Sequence, residues 1–172
     1  MPDARYCRAP FWKVVHDSLL EWLRSDDDVA ALVTGTKGDE TVVDIAEGLT
    51  PAIPANGIRL LRGDEGEEPL TGYRVGWLPA SLTIVIAMWA RASVPSQRDE
   101  QMSADSSWAA SAALEAAVKA SLRAYFDPSR NMTEILGAPY SAVIRGTISE
   151  GKDYWPAVAS AITIELNRGI ND

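Results

Sequence analysis

One cysteine and one histidine in 172 residues leave little reactive chemistry to place. A lone Cys7 cannot form an intramolecular disulfide, so nothing points to a secreted, stapled fold. A lone His16, with no ligand-spaced cluster around it, argues against a zinc site and against an imidazole-based triad. Long hydrophobic runs are missing too. The longest strongly apolar stretch, Leu82 to Ala90, is about half of what a bilayer-spanning helix needs. The start, Met1 to Tyr6, lacks the apolar run of a signal peptide, and the expectation is a cytoplasmic product with no membrane partner. Basic residues are in deficit, 16 Lys and Arg against 24 Asp and Glu, for a net charge of -8. Such a chain is a poor candidate for gripping phosphate backbones, where affinity comes from cations displacing counterions.

What is present is an ordinary globular composition, 47% hydrophobic and 23% charged. A chain of this length buries about two-thirds of its unfolded surface in one core. Along Phe11 to Arg24 the apolar positions Phe11, Val14, Val15, Leu19, Trp22 and Leu23 recur at gaps that put them on one side of a helix. Pro10 suits its start. Asp26-Asp27-Asp28 then leads into Val29 to Val33, closed by Thr34-Gly35, which reads as a capped short helix. Thr41 to Ala46 is β-branched and reads as a strand, as does Ile58 to Leu61. Between them two prolines and Asn56-Gly57 keep the chain irregular.

Residues 62–74 read as a flexible acidic insertion carrying Asp64, Glu65, Glu67 and Glu68. Leu82 to Arg91 is the clearest strand. Leu82, Ile84, Ile86 and Met88 share one face, while Thr83, Val85, Ala87 and Trp89 share the other, so both faces need cover. A mobile loop is expected at 93–103, then a long Ala-rich helix from Ala104 to Phe126, stopped by Asp127-Pro128. The last third reads as a hairpin. Ala142 to Ser149, with Ile144 and Ile148 on one face, turns through Glu150 to Asp153 into the alternating strand Ala159 to Asn167. These elements predict a single α+β domain over residues 1–172, with a mixed or antiparallel sheet of four to five strands on two main helices.

Each chemical candidate has a plain structural explanation beside it. His16 fits the surface of the first helix or the edge of the core. The three aspartates lack the alternating ligand spacing of a calcium loop and suit helix capping. Gly63 to Gly66 lacks the Gly-Lys-Ser/Thr end of a phosphate loop. No catalytic residue, metal or cofactor is predicted. Among the six tryptophans, Trp77 and Trp155 stand beside prolines at segment ends, where aromatic anchors often serve interfaces. Trp89 and Arg91 close the middle strand and join them as oligomer or partner-interface candidates.

The order of elements and four local features resemble the tail terminator and tail-completion proteins of long-tailed phages, including the lambda type. The features are the amphipathic Phe11 to Arg24 leading into Asp28 to Gly35; the middle strand Leu82 to Arg91 running through a polar loop into a long helix; the acidic turn through Asp153-Tyr154-Trp155; and the closing strand Ala161 to Leu166. The resemblance implies a structural virion protein, assembled in the host cytoplasm, that closes the tail tube as a hexameric ring. Its implied partners are further copies of itself, the tail tube protein and the head-side connector. DNA would pass through without specific binding, past an acidic wall to which Asp64, Glu65, Glu67 and Glu68 are candidate contributors. The chain is longer than the small lambda-type members, with the extra residues expected between Thr50 and Trp77. A head–tail connector subunit is the neighbouring alternative. A small-molecule-binding domain, which would need a pocket with convergent polar groups, is the alternative from another class.

Overall fold

The computed structural model of the chain describes residues 11–48, 56–65, 81–90, 100–130, 140–150 and 158–168. Helix α1 (Phe11–Ser25) forms where the apolar spacing demands it, burying Val15, Leu19, Leu20 and Leu23 and leaving Asp17, Glu21 and Arg24 outside. Asp26 caps the next helix, α2 (Asp27–Leu32), its carboxylate accepting from the N–H groups of Asp28 and Val29. Asp27 and Asp28 occupy the first turn, at the positive end of the helix dipole. The acidic triplet is therefore a helix-start device.

Thr34 and Gly35, read above as the close of that helix, instead open a hairpin. Strand β1 (Thr34–Lys37) pairs antiparallel with β2 (Glu40–Val43) in a separate two-stranded sheet. The turn is Gly38-Asp39, and Gly38 has φ 63°, the left-handed backbone that a tight hairpin turn places at its first central position. The single strand expected over Thr41 to Ala46 is broken at Asp44. Beyond it, β3 (Ile45–Glu47) joins the main sheet. The break has a physical cause: Asp44 turns its carboxylate inward to a buried arginine, so the chain changes sheets at that residue.

The main sheet runs β3-β4-β5-β7-β6. Strand β4 (Gly57–Glu65) is parallel to β3 and antiparallel to β5 (Ser81–Ala90). Strand β7 (Val158–Arg168) lies between β5 and the edge strand β6 (Tyr140–Glu150), antiparallel to both. Helix α3 (Glu100–Tyr125) completes the described elements. The result is the expected α+β class, a mixed five-stranded sheet with α1 and α3 as its main helices.

One core joins them. Leu82, Ile84, Ile86 and Met88 of β5 meet Ile58 and Leu60 of β4 and Ile162, Ile164 and Leu166 of β7. Leu114, Val118, Leu122 and Tyr125 of α3 close over them with the α1 stripe. Each such side chain contributes about 1.5–3 kcal/mol of burial. Between the helices, the indole N–H of Trp22 donates to the carbonyl and hydroxyl of Ser121, 3.1 and 3.0 Å away, and Tyr125 donates to Ser18 at 2.8 Å. Burial pushes the Tyr125 phenol above its ordinary pKa. On the opposite sheet face Thr83, Val85, Ala87 and Trp89 are half-buried, and no described helix lies there.

Two boundaries and one register differ from expectation. Strand β4 continues to Glu65, so the first residues of the 62–74 insertion are paired to β5, with a register shift between Arg62 and Glu65. Helix α3 begins at Glu100, so the end of the 93–103 loop is helical; Gln101, Met102 and Ala104 are good helix formers. In β6 a bulge leaves Arg145 as one extra residue between Ile144 and Gly146, whose partners Ile164 and Thr163 are consecutive. Ile144 is in register with the core residue Ile164, whereas beyond the bulge Ile148 is in register with Ala161. The two isoleucines read as sharing a face are separated by that bulge.

Candidate functional site

Two polar clusters are built into the described fold. The first gathers where β3, β4 and β5 meet on the face away from the helices. Arg59 is 2% exposed and its Nη2 lies 2.7 Å from Asp44 Oδ1. Its Nη1 donates to the Ile58 carbonyl at 2.9 Å, and its guanidinium lies 4.8 Å over the Trp89 ring. Gly57 makes room for this stack: a Cβ there would meet Asp44 Oδ2 and Trp89 Cζ2, each at 2.6 Å. Both Asp44 Oδ2 and Trp89 Nε1 are buried without a hydrogen-bond partner. This cluster fixes how the sheet edge is assembled. The signal for it in the sequence is one lone Arg in Ile58-Arg59-Leu60-Leu61 and one lone Asp in Val42-Val43-Asp44-Ile45, opposite charges inside apolar strand runs.

The second cluster holds α1 to β3. His16 is 1% exposed, in the core rather than on the helix surface. Its Nδ1 lies 3.1 Å from Glu47 Oε1, and the other Glu47 oxygen accepts from Lys13 at 2.8 Å. The Lys13 contact, then that of His16, draws the Glu47 carboxyl below the usual carboxylate range, with burial opposing them. Asp17, then Glu47, hold the Lys13 ammonium above its ordinary value. The edge of Trp12 packs on the imidazole, 5.5 Å between ring centroids. His16 Nε2 is buried and without a partner, so no hydroxyl or thiol among the described residues stands ready to be activated by it. Nor does any described group of three or more His, Cys, Asp and Glu side chains form a metal-holding cluster.

The remaining candidate is a surface. Strand β6 is an edge of the main sheet over eleven residues, with no described strand beyond it. Val143 and Ile144 are 43% and 38% exposed on it, large apolar side chains next to open backbone donors and acceptors. Arg145 at the bulge ion-pairs with Glu165 of β7, which lowers the Glu165 pKa. A second surface feature is the trough between α2 and α3, lined by Asp26, Asp28, Leu32, Ala117 and Ser121 and open to solvent.

Of the residues singled out from sequence, Trp89 is drawn into the Arg59 stack and is half-buried there. Asp64 and Glu65 end β4. Trp77, Trp155, Arg91, Glu67 and Glu68 lie outside the described residues, as does Cys7. The β6 edge was not singled out from sequence; its signal is a long strand without proline or lysine. No described helix is long and apolar enough to cross a membrane. Compared with protein-family models and with curated proteins, the chain matches neither.

Proposed function

We propose that the protein is a structural subunit of a phage tail, forming an oligomeric ring that closes the tube and meets the head-side connector. The observation that carries this reading is the layout of the sheet. The described helices pack on one face, and the eleven-residue edge strand β6, with Val143 and Ile144 exposed, has no described strand beyond it. That is a subunit prepared for side-by-side association, as ring closure by repeated copies requires. The order of elements supports it as well: amphipathic helix, short capped helix, central strand, long helix and C-terminal hairpin. A net charge of -8 suits a ring through which DNA slides without being held. The groups at the centre of the two polar clusters, Arg59 with Asp44 and His16, are buried in the fold, in keeping with a structural role.

The test is assembly. Size-exclusion chromatography with mass measurement, followed by negative-stain imaging, is expected to give a monodisperse ring, a hexamer by the family resemblance. Monomer alone at micromolar concentration, with no ring in intact particles, refutes the reading.

A further inference from the structure

Among the described residues, the β1–β2 hairpin is an arm without a core of its own. From Thr34 to Val43 none of its described side chains is buried; only Gly35 and Val42 are half-buried, and Val43 is 36% exposed. Neither strand makes more than glancing contact with any other described element. A free two-stranded hairpin is marginal in water, and this one has four paired positions. Its root, by contrast, is firm. Asp44 N–H donates to the Val33 carbonyl at 3.0 Å, continuing the ladder inward, and Val33 and Asp44 are both buried. The arm is therefore aimed from the body rather than loosely attached.

Its position decides what it can reach. The arm leaves the body next to β3, one edge of the main sheet, while β6 is the other edge. Four strand spacings of about 4.8 Å put those edges roughly 19 Å apart. An arm beside one edge and, at the other, a strand with no described neighbour beyond it form a donor and an acceptor on opposite flanks. Contacts of that kind are head-to-tail, and they close into rings when the rotation between copies allows.

We propose that β2 of one copy adds as an antiparallel strand to β6 of the next. This deepens, and rests on, the ring reading. Charge selects the strand and the register. Arg145 is the one charged residue between Tyr140 and Ser149; it is exposed, and with its Nε held by Glu165 of its own β7 the guanidinium still has Nη donors for a second carboxylate. β2 starts with Glu40, preceded by Asp39 in the turn, whereas β1 ends with Lys37. With Glu40 across from Arg145, Val42 falls across from Val143, joining two valines that each copy leaves partly exposed. Backbone pairing supplies affinity, as in other cases of strand addition.

Two experiments test it on the full chain. In a Cys7→Ser background, Val42→Cys with Val143→Cys places thiols on directly paired positions, whose Cα spacing permits a disulfide. Mild oxidation of the assembled protein is expected to give a ladder of covalent multimers, with neither single variant doing so. Separately, Val143→Lys blocks the acceptor edge and Val42→Asp with Val43→Asp blocks the donor arm. Each is expected to be a folded monomer by circular dichroism, and a mixture of the two to stop at heterodimers, because each retains one working flank. Rings that form normally from the arm variant, or assembled double-cysteine protein that does not cross-link, overturn the arm-to-edge contact while leaving the ring reading intact. A wild-type chain that stays monomeric overturns both.

Discussion

Removing the guanidinium from the buried ion pair is the sharpest perturbation the fold offers. Arg59→Met keeps an unbranched stem beside Trp89 but leaves the Asp44 carboxylate, 7% exposed, without its charge partner at Oδ1. Asp44 Oδ2 already lacks a hydrogen bond, so neither oxygen then has a described partner. Breaking a buried pair from one side typically costs about 3–5 kcal/mol. For a chain of this size each kcal/mol moves the melting temperature by about 2–4 °C, so a fall of roughly 6–20 °C is expected. Adding Asp44→Asn removes the stranded charge and should recover at least half of the loss. The assay is urea unfolding at pH 7 followed by far-ultraviolet circular dichroism, at one protein concentration because assembly also stabilises. A loss below about 1 kcal/mol for Arg59→Met, or no recovery in the double variant, shows that the pair does not hold this corner of the sheet.

Gly57→Ala should destabilise by about 1–3 kcal/mol, because the new methyl collides with Asp44 and Trp89 and neither can move without disturbing Arg59; an unchanged thermal melt would refute the crowding argument. Acid should act through Glu47. Its folded pKa lies below the ordinary value of 4.5, so its contribution is present above that value and is lost as pH falls through the lower, folded one. Glu47→Gln should flatten that part of the stability profile, and an identical acid limb in the variant would remove Glu47 from the account.

Periodicity made the helices and the outer strands legible. Val15, Leu19 and Leu23, or Ile162, Ile164 and Leu166, repeat at the period of their element, and burial follows the repeat. The arm was not legible. Thr34-Gly35 resembles a helix end, and nothing local says that Thr34 will pair with Val43 rather than finish a turn. The break at Asp44 depends on Arg59, fifteen residues on, and a contact of that kind leaves only a lone charge as its trace. The β6 bulge escaped for a similar reason: one unpaired residue, Arg145, shifts the register of the strand after it without altering the local composition. His16 shows the limit for single side chains. Its place on α1 was readable, but its burial depended on Glu47 arriving from β3.

The order of pairing in the main sheet also sets a schedule for biosynthesis. Strand β5 lies between β4 and β7, but β7 begins at Val158, long after β5 ends at Ala90. At roughly 5–20 residues per second, about 3–14 s of synthesis separate the two. Throughout that interval Leu82, Ile84, Ile86 and Met88 sit on a strand with one edge unpaired, and α3 is still being made for much of it. The nascent chain is then most exposed to mispairing and most in need of chaperone cover, and the arrival of β7 ends the risk by filling the gap between β5 and β6.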